Sequence, residues 1–127
     1  MSLILVVDDE PDILMVVQMI LRGCGHQILE ASTGEMALQL LEHQNPDAVL
    51  LDVRLPGIDG LEVLERLRKA SIHSVLPVIM LSASSGPSLV ERASGLGCSG
   101  FVAKPFDPEA LIRTLNEALE AGRTPAA

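Results

Sequence analysis

Five short apolar runs, each followed by a stretch with helical spacing, constrain this 127-residue chain more than any other feature. Leu3-Ile4-Leu5-Val6-Val7 is apolar throughout, the pattern of a strand buried on both faces. Pro11 then suits a first helical turn, and Ile13, Val16, Val17, Ile20 and Leu21 line one helix face until Gly23 and Gly25 end it. Ile28 to Ala31 reads as a second strand. Ser32-Thr33-Gly34-Glu35 reads as a capping box, with Ser32 as N-cap and Glu35 reaching back. Ala37, Leu40 and Leu41 continue that helix to the break at Asn45-Pro46. Ala48 to Leu51 is the third run and ends in Asp52. Pro56-Gly57 turns the chain, Asp59 caps the third helix, and Leu61, Leu64 and Leu67 give it a buried stripe. Pro77 to Leu81 is the fourth run and ends at Ser82; Pro87 opens a short helix closing near Gly95 or Gly97. Phe101 to Ala103 is the fifth run, followed by Lys104-Pro105. Asp107-Pro108 pairs an N-cap with an N1 proline, ahead of Leu111, Leu115, Ala118 and Leu119. Such alternation predicts an α/β fold with a doubly wound, five-stranded parallel sheet. The folded domain is expected over residues 1–121, with a flexible tail over 122–127.

Composition narrows the function. Nine basic against seventeen acidic residues leave a net charge of −8, which disfavours nucleic acid and anionic membranes as direct partners. Two Phe, no Trp and no Tyr leave no stacking platform for single strands and require an aliphatic core. Cys24 and Cys98 form no C-x-x-C and read as reduced, partly buried thiols. His26, His43 and His73 lack metal-ligand spacing. The first apolar run is five residues long and meets Asp8, too short for a signal peptide or a membrane span; a reducing cytoplasm is the expected compartment.

In a parallel sheet, ligands bind beyond the carboxyl ends of the strands. The residues there are Asp8 and Asp9 (with Glu10 next), Asp52, Ser82 and Lys104. Two carboxylates about 4 Å apart repel by about 4 kcal/mol at an effective dielectric near 20, so a cleft holding three needs protons or a cation. Oxygen donors in an incomplete cage suit Mg²⁺, which keeps waters and bridges to phosphate. A divalent cation, an amine and a hydroxyl together suit a phosphoryl group. Asp52, alone on a central strand, is the preferred nucleophile, and Asp8-Asp9 the metal-holding pair.

These residues sit in segments that resemble the response-regulator receiver domain of two-component signalling. The matching stretches are LILVVDDEPDI (3–13), ASTGEMAL (31–38), PDAVLLDVRLPGIDGLEVLERLR (46–68), PVIMLSA (77–83) and GFVAKPF (100–106). The resemblance implies a flavodoxin-like strand order of 2-1-3-4-5. It implies that Asp52 accepts a phosphoryl group from a phosphohistidine of a sensor histidine kinase or phosphotransfer protein. Mg²⁺, with Mn²⁺ as a substitute, would be held by Asp8, Asp9, Asp52 and the backbone carbonyl of Arg54. Ser82 and Lys104 would bind phosphoryl oxygens, Phe101 would be the switch aromatic, and Lys104-Pro105 would be cis. Ser82 stands where Thr is commoner, and Phe101 has no hydroxyl for a Tyr-type switch. Arg54 and Ser84 occupy positions that tune hydrolytic water. The surface of the fourth helix, fifth strand and fifth helix would signal to an effector protein or a fused output domain, or form a dimer. The implied role is signalling rather than enzymatic turnover.

Three other readings compete. A metal-dependent phosphohydrolase of the haloacid dehalogenase type needs an acid two positions after the nucleophile, where Arg54 follows Asp52. Glu10 does follow Asp8, but Pro11-Asp12 departs from that pattern. Gly95-Leu96-Gly97-Cys98-Ser99-Gly100 fits G-x-G-x-x-G but follows a helix and precedes a strand, the reverse of a dinucleotide fingerprint. A phosphorylation-independent interaction domain on the same fold has no reason to keep mutually repelling carboxylates.

Overall fold

The protein is described here by a computed structural model covering residues 2–70, 73–83 and 86–123. The elements alternate in chain order: β1 (Leu3–Val7), α1 (Pro11–Gly23), β2 (Gln27–Ala31), α2 (Gly34–His43), β3 (Ala48–Asp52), α3 (Gly60–Lys69), β4 (Val78–Ser82), α4 (Pro87–Gly95), β5 (Gly100–Ala103) and α5 (Pro108–Arg123). The strands form one parallel sheet in the order β2-β1-β3-β4-β5.

Because side chains alternate along a strand, each apolar run feeds two cores. Leu5, Val7, Val49, Leu51, Val78 and Met80 face α2, α3 and α4, where Ala37, Leu41, Leu64 and Ala93 meet them. Ile4, Val6, Leu50, Ile79, Leu81 and Val102 face α1 and α5, meeting Val17, Leu21, Leu111 and Leu115. Each fully buried aliphatic side chain contributes roughly 1.5–3 kcal/mol of burial free energy. One face is therefore not interchangeable with the other, and a one-residue slip in any central strand would invert the whole set.

The boundaries differ from expectation in instructive ways. Helix α2 is capped by Thr33, whose hydroxyl accepts from the Met36 amide at 3.0 Å; Ser32 is not the N-cap. Glu35 does not reach back to a Ser32 cap; its carboxylate lies against Gly57, where an added Cβ would come within 2.5 Å of it. Asp59 caps α3 as its spacing predicts, accepting from the Glu62 amide at 2.9 Å. Pro77 has no amide to donate and falls outside β4, yet its carbonyl accepts from Val49 at 2.9 Å. Gly95 ends α4, and Gly97 takes a φ of +90° before β5 begins, so this glycine run is a helix stop and turn. Helix α5 includes residues 122 and 123; the rest of the expected tail, 124–127, lies outside the described residues. Cys98 is half-buried, but Cys24 is exposed, because it follows the last turn of α1 at the surface.

Candidate functional site

Parallel pairing brings the ends of β1, β3, β4 and β5 to one edge. Asp8 follows β1 directly and is fully buried; its Oδ1 accepts from the Glu10 amide at 2.9 Å. Asp52 is the last residue of β3 and is almost fully buried; its Oδ1 accepts from the Arg54 amide at 3.2 Å. These turns aim one oxygen of each carboxylate at the chain and leave the other for a shared partner. That partner is Lys104, placed by the Lys104 amide donating to the Ser82 carbonyl at 2.7 Å. Its ammonium lies 2.7 Å from Asp8 Oδ2, 3.2 Å from Asp52 Oδ2 and 3.7 Å from Glu10 Oε1. The Lys104-Pro105 peptide is cis.

Local glycine chemistry fixes the floor of the site. The Gly60 amide donates to the Val53 carbonyl at 2.8 Å, and an added Cβ would stand 2.1 Å from the Asp52 carbonyl oxygen. Only a residue without a side chain lets α3 start this close to the end of β3.

The charges are unequally shared. Burial raises the Asp52 carboxyl above its ordinary range, the neighbouring Asp8 raises it further, and Lys104 and the Arg54 amide only partly oppose this. Burial alone would lower the Lys104 ammonium, but the hydrogen bond to Asp8 and the Asp52 charge more than offset it, so its pKa is raised. The two directions differ in origin: burial dominates at Asp52, with the Asp8 charge second, whereas at Lys104 the short bond to Asp8 leads the causes that outweigh burial.

Carboxylate oxygens of Asp8, Asp9, Glu10 and Asp52 lie within 4.8 Å of one another. Asp9 and Glu10 are exposed, and with Asp52, Arg54, Ala83 and Lys104 they line a cleft of about 270 Å³. The four carboxylates offer only oxygen, their charge exceeds that of Lys104, and one side is open to water, so they fit a hard divalent cation that retains waters. The cluster shows one member that the acidic-pair reading passed over. Glu10 joins it because its side chain, unused as a cap at the start of α1, turns toward Lys104.

Of the other candidates, Ser82 ends β4 and is buried, one residue beyond the strand partner of Asp52. Phe101 is half-buried and packs into the core shared by α2, α3 and α4. Ser84 lies outside the described residues. His73 is buried, and its Nε2 donates to the Leu41 carbonyl at 2.9 Å, which is a structural role. No helix among the described residues is long and apolar enough to cross a membrane.

A doubly wound parallel sheet in the order 2-1-3-4-5, with an acidic cleft at its carboxyl edge, defines a flavodoxin-like protein. The family model for the response regulator receiver domain matches residues 4–116, and the chain belongs to that family. The Pseudomonas aeruginosa protein PilH is 32% identical over 94% of this chain and 98% of its own length. The Mycobacterium tuberculosis transcriptional regulatory protein KdpE is 39% identical over 94% of this chain but 51% of its own length, so the chain spans about half of that relative. The solved structure of the chemotaxis response regulator CheY4 of Vibrio cholerae superposes with a TM-score of 0.88 at 30% identity, covering 93% of this chain and 98% of CheY4.

Proposed function

We propose that this chain is a phosphoacceptor module in which Asp52 takes a phosphoryl group from a phosphohistidine of a sensor histidine kinase or histidine phosphotransfer protein. The observation that carries this reading is the single ammonium of Lys104 shared between buried Asp8 and Asp52 at the wall of an open acidic cleft. An Asp52 oxygen attacks phosphorus in line; the phosphorus–nitrogen bond breaks with its electron pair on the imidazole. Lys104 stands where it can pair with a phosphoryl oxygen. Mg²⁺, or Mn²⁺ in its place, would be held by Asp8, Asp9 and Asp52 with the Arg54 carbonyl, and would neutralise charge on the phosphoryl oxygens.

After transfer, the Ser82 hydroxyl bonds a phosphoryl oxygen, and Phe101 repacks toward the space it leaves. The face formed by α4, β5 and α5 changes shape. An effector protein, an output domain in the same polypeptide, or a second copy of the chain reads that face. The role is to carry a signal in the cytoplasm, one phosphoryl group per switching event, rather than to turn over a metabolite.

Incubation with acetyl phosphate and Mg²⁺, followed by intact mass measurement, tests the reading. Wild type is expected to gain one phosphoryl group and Asp52→Asn none. Equal labelling of Asp52→Asn defeats it.

A further inference from the structure

Glu10 stands between the buried charges and the solvent. Its side chain is 61% exposed, its carboxylate is 3.7 Å from Lys104 Nζ, and it lines the same cleft as Asp52. Asp52 is almost fully buried and is among the residues lining this cleft, so a phosphodonor reaches it from that side. An incoming phosphoryl group therefore meets the Glu10 charge and competes with it for the same ammonium.

Resting on the phosphoacceptor reading, we propose that Glu10 is a charge filter that selects the class of phosphodonor. It disfavours acyl phosphates, whose phosphoryl group reaches the cleft as a dianion. It favours donors in which phosphorus is bonded to a nitrogen able to carry a proton, which arrive with one negative charge fewer. Phosphoramidate and acetyl phosphate represent the two classes. In each transfer an Asp52 oxygen bonds phosphorus as the donor bond breaks, its electron pair leaving on ammonia or on acetate.

The filter acts through charge, so its strength follows from distance and screening. One unit charge at roughly 6 Å in a water-like dielectric alters the ratio of the two rates about threefold. In about 1 M salt the screening length falls to about 3 Å, and the effect shrinks toward unity.

The test compares initial rates of Asp52 labelling by the two donors at saturating Mg²⁺, in low and high salt. Glu10→Gln is set beside wild type and beside Glu42→Gln, a charge control in the groove between α2 and α3. Glu10→Gln is expected to raise the ratio of acetyl phosphate rate to phosphoramidate rate about threefold at low salt, with the gain fading at high salt. A role confined to starting α1 would change both rates alike. An unchanged ratio, or an equal change in Glu42→Gln, overturns the filter. In divalent-free buffer the Lys104 ammonium resonance should move in Glu10→Gln and stay in Glu42→Gln; a resonance that does not move removes the contact on which the filter depends. Wild type alone supplies a further check, because added salt should raise its ratio, and a flat ratio counts against the filter. Absence of labelling by either donor would instead defeat the phosphoacceptor reading.

Discussion

Replacing Lys104 by Met tests the electrostatics of the site without touching either carboxylate. The lysine side chain is 9% exposed, that of Asp8 is 0% and that of Asp52 is 6%. Met fills much of the same volume, so lost packing should cost less than about 1.5 kcal/mol. The lost charge costs more: stripping one partner from a buried pair removes about 3–5 kcal/mol, because the remaining ions stay desolvated. Even the low end of that range, about 3 kcal/mol, lowers a urea midpoint by about 1.5 M, taking a slope of about 2 kcal/mol per molar. Far-UV circular dichroism is the suitable probe, since the chain has no Trp or Tyr.

The pH dependence has a definite sign. Asp52 already has a raised folded-state pKa, and removing Lys104 raises it further. A raised carboxyl favours the fold while protonated, and that advantage is lost as pH rises through the folded-state value. The penalty of Lys104→Met should thus be full near neutral pH and shrink as pH falls into the carboxyl range. Adding Asp8→Asn should recover a large part of the loss at neutral pH. A variant as stable as wild type near neutrality, or a penalty that ignores pH, would refute the shared-ammonium account.

Other perturbations probe separate parts of the structure. Gly60→Ala forces a methyl group onto the Asp52 carbonyl, and should cost about 1–3 kcal/mol by urea unfolding and slow labelling of Asp52; unchanged stability would show that α3 starts farther out. Asp52→Asn removes a carboxylate whose raised pKa makes its ionised form unfavourable in the fold, so its thermal midpoint in divalent-free buffer should exceed that of wild type near neutral pH. The difference should close as pH falls and wild-type Asp52 protonates. It should reverse in Mg²⁺, which stabilises wild type by binding it. Thr33→Ala should cost about 1 kcal/mol in denaturant and Ser32→Ala much less, since only Thr33 caps α2; equal losses would contradict that assignment.

Strand runs, helix faces and the charged residues after each run are legible in the sequence because burial on both faces leaves unbroken apolar segments such as 48–51. The order of the strands is not, since five similar runs can be arranged in several ways; it is implied by the family resemblance alone. The capping-box pattern at 32–35 points to Ser32, because only Ser32 has a Glu three residues on; backbone geometry makes Thr33 the cap without the reciprocal Glu. Glu10 stands next to the acidic pair in the sequence, but that its side chain turns to Lys104 instead of capping α1 is visible only in the structure. Gly60 left a faint signal, a glycine opening a helix just after an N-cap aspartate, but its necessity appears only once α3 is seated on β3.

Arg68 ties the opposite rim of the sheet. Its guanidinium donates to the Gly97 carbonyl at 3.0 Å and to the His73 carbonyl at 3.2 Å, so the turns leading into β5 and β4 share one fastener. At the acidic rim the tie is a shared charge instead, the Lys104 ammonium spanning Asp8 at the end of β1 and Asp52 at the end of β3. The two rims therefore differ in kind: bonds to carbonyls hold the one, and charges that a bound cation or phosphoryl group would redistribute hold the other.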